Sequence, residues 1–254
     1  MKLRTGTVFL SALVGCLATL ACTDLSGSST GVLSIQFDSL AAPSVVLGDT
    51  LRDTTGAVVV PVVHAFNSRG EELSSVPVRF QSPDSGVIVD SVTGIVFGDS
   101  LRSTAARIVA SVGTLQAIQK VDVTLRPDLL AAETGLDSLS YSVLDSTLNV
   151  SPKLTVKLTH GVATQDSAVK SYIVSFAIES QSDPNLGTLV NDGGKPSIVD
   201  TTDTNGVAGR AIRLHPVFLV SEIDSIIVSA TARYRGVAVS GSPVRLVLKI
   251  KPRS

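Results

Sequence analysis

Tryptophan is absent from the 254 residues, and seven Phe and three Tyr hold the aromatic share to 4%. A surface that stacks bases or sugar rings on exposed aromatics therefore has little to be built from. Charge of one sign is missing too. Lys+Arg 21 against Asp+Glu 22 gives a formal net charge of -1, which excludes a strongly basic nucleic-acid binder and a polyacidic tail protein. Two Cys cannot make a disulfide-dense scaffold, and none occurs after residue 22. Beyond the first thirty residues no run is apolar and uncharged for long enough to span a bilayer. What is present is aliphatic. The chain is 44% hydrophobic and only 17% charged, which excludes a mainly disordered chain, and its length suits one large or two modest domains.

The N-terminus reads as an export signal. Lys2 and Arg4 form a basic start, and an uncharged, mostly apolar run follows from Thr5 to Ala21. Small residues precede Cys16 and Cys22, and this layout resembles a bacterial lipoprotein signal, in which such a Cys is lipidated and becomes the new N-terminus. Leu13-Val14-Gly15-Cys16 matches that pattern letter by letter. Thr19-Leu20-Ala21-Cys22 ends where the apolar run ends, and a polar Gly/Ser-rich tether, Thr23 to Gly31, follows it. The expected lipidation site is Cys22, with Cys16 as the alternative. Since neither Cys has a disulfide partner in the body of the chain, lipidation explains their placement better than an ordinary cleaved signal does. Loss of residues 1–21 removes Lys2 and Arg4 and no acid, leaving a net charge of -3.

After the tether, period-2 alternation dominates. Val76, Val78 and Phe80 alternate with polar or turn-forming neighbours, as do Val121, Val123 and Leu125. Leu154, Val156 and Leu158 form another such row, followed by Tyr172, Val174, Phe176 and Ile178. Ile226 to Tyr234 and Val244 to Ile250 complete the set. Extended strands with this spacing place apolar side chains on one face. Ala57 to Val63 is continuously apolar and suits a central strand, except that Pro61 pushes it toward an edge or a bulge. Turn formers punctuate the runs: Asn67-Ser68-Arg69-Gly70, Pro83-Asp84-Ser85-Gly86, Asn191-Asp192-Gly193-Gly194 and Asp203-Thr204-Asn205-Gly206. No window of helical length carries a 3.6-residue stripe, so the body is expected to be all-β.

Two units align, each opening on a strand, turning through polar residues and closing on a Gly-turned hairpin at Gly113 or Gly236. Their size and strand count predict two tandem immunoglobulin-like β-sandwiches. The expected division is a signal peptide at 1–21, lipidated Cys and tether at 22–33, sandwich 1 at 34–126, a linker at 127–136 and sandwich 2 at 137–254. Within the first unit Gly48-Asp49-Thr50-Leu51-Arg52 is echoed by Gly98-Asp99-Ser100-Leu101-Arg102, a recurring turn-strand solution and not a domain period. In the second unit Val174-Ser175-Phe176, Gly187-Thr188-Leu189 and Thr202-Asp203-Thr204-Asn205-Gly206-Val207-Ala208 resemble the bacterial Ig-like (Big-1) domains of the invasin/intimin type. The first unit has the counterpart Val76-Pro77-Val78-Arg79-Phe80 but lacks the Asp-Asn-Gly turn. The resemblance implies a structural or adhesive envelope module and brings no catalytic residue.

Candidate chemistry is sparse. Gly27-Ser28-Ser29-Thr30-Gly31 matches a nucleophile elbow in letters, yet it sits in a tether without a following helix. His64, His160 and His215 are scattered without metal-ligand spacing, and the first two are expected as solvated strand-end side chains. Asp200 to Asn205 offers several oxygens but lacks the further bidentate carboxylate of a calcium loop, so it reads as a turn. Gly193-Gly194-Lys195 lacks the upstream Gly of a phosphate loop. Arg233, Arg235 and Arg245 are expected on solvated strand faces, and Tyr172 and Tyr234 in the core.

The sequence therefore predicts no enzyme, no catalytic residue, no metal site and no cofactor, with binding residues unknown. It predicts a lipoprotein of the cell envelope, in the outer membrane if the host has two membranes, facing the periplasm or the surface. The expected partners are the membrane, through the anchor, and an unidentified protein or glycan, with no nucleic acid. A carbohydrate-binding module and a secreted enzyme with a loop-assembled site are the alternative readings.

Overall fold

A computed structural model describes residues 31–134, 136–141, 149–161, 167–215 and 224–252. Cys16, Cys22 and the serines of the elbow-like motif lie outside these residues. Among the described residues every regular element is a β-strand. The chain is all-β.

The N-terminal half contains β1 (Ser34–Phe37), β2 (Ser44–Val46), β3 (Val63–Phe66), β4 (Arg79–Gln81), β5 (Val87–Val89), β6 (Val96–Gly98), β7 (Ala106–Val112) and β8 (Leu115–Thr124). The C-terminal half contains β9 (Leu129–Ala132), β10 (Leu136–Tyr141), β11 (Leu154–His160), β12 (Ser167–Ala168), β13 (Ile173–Ser180) and β14 (Gly187–Val190). It continues through β15 (Val199–Thr201), β16 (Val207–Leu214), β17 (Asp224–Thr231), β18 (Arg233–Tyr234), β19 (Val237–Ala238) and β20 (Val244–Pro252).

The pairing repeats. In the first half one sheet runs β2-β8-β7-β4, and in the second the corresponding sheet runs β10-β20-β17-β13-β15. In each, the first strand named pairs in parallel with the last long strand of its half, β2 with β8 and β10 with β20. The facing strands are β1-β3 and β5-β6 in the first half. In the second they join into one layer, in which β9 pairs β11, β11 pairs β16 and β16 pairs β14. That layer, read β9-β11-β16-β14, has the A-B-E-D order of an immunoglobulin-like sandwich, and β13-β17-β20 has the C-F-G order. The Gly113 turn closes the β7–β8 hairpin as expected.

Each half surrounds its own apolar cluster. Val45, Leu51, Phe80, Val96, Ile108, Val121 and Val123 fill the first. Leu130, Leu154, Val156, Leu158, Phe176, Ile212, Ile226, Leu246 and Leu248 are among those that fill the second. Aliphatic residues dominate both, and burial of each such side chain contributes about 1.5–3 kcal/mol. The alternation in β13 divides its side chains between two bodies. Val174 and Phe176 enter the second cluster while Ile173, on the opposite face, packs against the first.

Two stretches differ from expectation. Within 127–136, expected as a linker, Leu129–Ala132 is strand β9 and Leu130 is buried in the second cluster. Four short apolar residues there suit a strand as well as a connector. The apolar stretch from Ala57 forms a strand only from Val63, and Val58, Val60 and Val62 are exposed. Pro61 cannot donate to a ladder, so this segment lies outside the sheets.

Candidate functional site

The two halves meet along a seam that is polar at its centre. Loop 47–56 of the first half faces segments 169–173 and 231–236 of the second. Asp49 lies at its middle, 4% exposed. Its Oδ2 accepts from Arg235 Nε at 2.8 Å, a bond that crosses the seam. Arg52 donates from Nε and Nη2 at about 3.1 Å, and the Thr50 amide donates to Oδ1 at 2.8 Å. Burial alone would raise the Asp49 pKa. The hydrogen bonds from Arg235, then Arg52 and the Thr50 amide, outweigh it and hold the carboxyl well below its ordinary 3.8. Both oxygens are engaged and the group stays ionised, so it has no proton to trade near neutral pH. It locks two segments together; it is not placed as a general acid or base.

Further contacts run along the same line. Ser44 Oγ donates to the Ser171 carbonyl at 2.6 Å, and Ser171 Oγ donates to Asp122 at 2.8 Å. Lys170 Nζ donates to the Arg102 carbonyl at 2.9 Å. Gly56 sits directly on Gly236, whose neighbour Arg235 lies over the Tyr234 ring at 5.3 Å. Tyr172 donates to the Arg233 carbonyl at 2.6 Å, and burial pushes both phenols up. Between the halves this arrangement leaves a cavity of about 280 Å³, walled by residues 42–54 on one side and by Tyr172, Ile173, Arg233, Tyr234 and Arg235 on the other.

The echoed Gly-Asp segments are neighbours in space. Gly48 N donates to Gly98 O, and Gly98 N donates to Asp49 O. Their surroundings diverge: the first copy carries Asp49 to Arg235 and sends Leu51 into the first cluster, whereas the second meets the other half through the Arg102 carbonyl. Leu51 is buried while Leu101 is 49% exposed.

Arg233, Arg235 and Arg245 are exposed, as expected, and two of them also carry acidic partners. Arg235 is about half exposed but is paired across the seam with Asp49, and Arg245 pairs with Glu179 at 2.8 Å. The one signal in the sequence was Tyr234 between two arginines. Its partner Asp49 lies 186 positions away, a distance that no local pattern bridges.

The histidines are spread over different strands and loops. His64 bridges Glu72 at 2.6 Å and Asp38 at 3.1 Å. His160 Nδ1 is 2.7 Å from Asp128, and His215 Nε2 is 2.8 Å from Thr188 Oγ1. His64 and His160 are thus half-exposed strand residues that also carry acidic partners. In the Asp200–Asn205 segment, Asp203 accepts from the Asn205 and Val207 amides, and Asp200 pairs with Arg210 at 2.9 Å. The turn accounts for these oxygens. Among the described residues no three His, Cys, Asp or Glu side chains converge as a metal would require. Tyr141 is buried, and Tyr172 and Tyr234 pack partly buried against the second cluster. They form no flat aromatic face.

No family model matches the sequence, and no curated protein matches it. Among solved structures, the surface layer protein SbsC, domains 1–6, aligns over 90% of this chain at 11% identity and a TM-score of 0.32. The chain spans only 29% of that protein's length. Human Protocadherin-24 EC1-2 aligns over 88% of this chain and 100% of its own at 13% identity and a TM-score of 0.28. The endo-fucoidan hydrolase MfFcnA9 of glycoside hydrolase family 107 aligns over 87% of this chain and 34% of its own at 7% identity and 0.36. Likenesses this distant identify no shared function, and the immunoglobulin-like assignment stands on the strand order alone.

Proposed function

We propose that this chain is a lipid-anchored protein of the cell envelope that acts as a structural or adhesive module and not as an enzyme. In this reading Cys22 carries the lipid and residues 22–33 are a flexible tether. Two immunoglobulin-like sandwiches, the second of the Big-1 type, carry a distal surface away from the membrane. The single observation that supports it most is the seam. Buried Asp49, bonded to Arg52 in its own half and to Arg235 in the other, ties the two all-β halves together, which suits a spacer. The carboxylates of Asp49 and Asp53 are both taken up by hydrogen bonds within the protein, which supports a structural role for them. Exposed strand edges and end loops are the usual contact surfaces of such modules.

The test is metabolic labelling with a fatty acid, followed by membrane fractionation. Cys22→Ala should abolish labelling and move the protein to the soluble fraction, with Cys16→Ala leaving both unchanged. Labelling lost only in Cys16→Ala moves the site. Labelling absent from the unmodified chain overturns the anchor.

A further inference from the structure

The seam cavity, about 280 Å³, is just below the size of drug-sized ligand sites. Its lining mixes two chemistries. Pro43, Val46 and Ile173 give it apolar surface, while Arg52, Arg233 and Arg235 supply three guanidiniums against the carboxylates of Asp49 and Asp53. The wall therefore carries one net positive charge.

Both acids are spent within the protein. Asp49 is held by Arg52 and Arg235, and Asp53 Oδ1 accepts from the Thr55 amide and hydroxyl and from the Ala57 amide. Arg52 is spent as well, on Asp49 and the Gly56 carbonyl. The other two arginines are not. Arg235 gives Asp49 only Nε, and Arg233 gives the Gly236 carbonyl only Nη1, at 3.1 Å. Among the described residues the two Nη groups of Arg235 donate to no carboxylate or backbone carbonyl, while the Asp49 bond and Tyr234 hold that guanidinium in position. The Thr50 hydroxyl, in the same wall, is buried without a partner.

A planar guanidinium with two free parallel N–H groups matches a carboxylate bidentately. The apolar residues Pro43, Val46 and Ile173 in the same cavity ask for a hydrocarbon body and disfavour a phosphate, which has no apolar part to bury. We propose that the cavity binds a small organic monocarboxylate. Its carboxylate sits on Arg235, assisted by Arg233, and its apolar body rests against Pro43, Val46 and Ile173. The proposal extends beyond the envelope role and is independent of lipid attachment, so it holds equally for the Cys22→Ala chain.

The test is calorimetric titration of the purified full chain in detergent with benzoate, with benzamide as the neutral analogue of the same shape and inorganic phosphate as the anion without an apolar body. Benzoate should bind saturably, and benzamide and phosphate each roughly tenfold more weakly or not at all, as loss of a charged hydrogen bond implies. Arg235→Gln should weaken benzoate roughly tenfold with little effect on benzamide. Because Arg235 also bonds across the seam, Arg233→Gln is the second variant; it makes no such bond and should weaken benzoate without lowering the melting temperature. Absence of benzoate binding to the unmodified chain overturns the proposal. So do equal binding of benzoate and benzamide, preference for phosphate, and benzoate binding indifferent to both substitutions.

Discussion

Gly56 and Gly236 meet backbone to backbone where the two halves join, with room for a side chain on neither. A Cβ on Gly56 would overlap the Gly236 amide nitrogen, and one on Gly236 would lie 2.7 Å from the Thr55 carbonyl oxygen. Both residues have left-handed φ, +92° and +79°. Beside this contact lies the Asp49–Arg235 bond, and the closeness of the two backbones is what lets a side chain from each half reach the other.

Gly56→Ala therefore carries two costs, and Gly48→Ala isolates one of them. Gly48 also has a left-handed φ, +74°, but nothing lies within 4 Å of its Cβ position. Gly48→Ala should cost about 1–2 kcal/mol from the backbone conformation alone. Gly56→Ala should cost more, because it must also push the second half away. Thermal unfolding measures the difference, and small-angle scattering of the Gly56→Ala chain should show a larger radius of gyration. Equal losses and unchanged dimensions would mean that the seam does not form in solution.

The Asp49 carboxyl sets an acid limit on the same contact. Its folded pKa is depressed below 3.8, so the stability it contributes is fully present above 3.8 and is lost as pH falls through the folded value. Asp49→Asn keeps the shape and removes the charge. It should lower stability at pH 7 by about 1–3 kcal/mol, because Arg52 and Arg235 then lose a charged acceptor. The loss should shrink steadily as pH falls below about 4. Denaturant melts of the two proteins across that range provide the check. A constant difference down to pH 2 would place the effect elsewhere.

The fold was legible in the sequence for physical reasons that its aliphatic rows make plain. Val121, Val123, Leu154, Val156 and Leu158 are buried as their alternation predicts, since a half-buried strand imposes a period of two. Ile173 shows where the pattern runs out. Its phase placed it opposite Val174, toward solvent, yet a second body covers that face. The seam was illegible for the same reason. Asp49 and Asp99 stand in nearly identical words, yet Asp49 is buried and meets Arg235 of the distant half while Asp99 is exposed. The expected linker failed on length. Leu129–Ala132 is too short for periodicity to separate a strand from a connector.

His64 provides a separate pH response on the first half. The hydrogen bond to Glu72, then that to Asp38, raises its pKa above 6.5. A raised folded pKa gives stability that is fully present below 6.5 and is lost as pH rises through the folded value. A proton NMR titration should find the His64 imidazole titrating above 6.5, and His64→Gln should remove that resonance. The same variant should flatten the fall in stability between pH 6 and 8. An unshifted His64 would mean that its two carboxylate contacts do not persist in water.

Phe176 and Phe80 test whether the two clusters unfold separately. Phe176 is 1% exposed within the C-terminal cluster, and Phe80 is 9% exposed in the N-terminal one. Removal of a buried Phe side chain costs about 3–5 kcal/mol, whereas each polar contact at the seam contributes about 1 kcal/mol net. Loss of packing in one half should therefore be felt there first. In Phe176→Ala, amide exchange should quicken in β13, β17 and β20 while β7 and β8 keep their protection; Phe80→Ala should give the reverse. Hydrogen exchange read by mass spectrometry resolves these strands. Equal quickening in all five would make the seam as strong as the cores and the whole body one cooperative unit. The reason to expect the split is that, among the described residues, apolar packing between a half and the other half's cluster comes from Ile173 and Leu125, while the hydrogen bonds along the seam are polar contacts of small net worth.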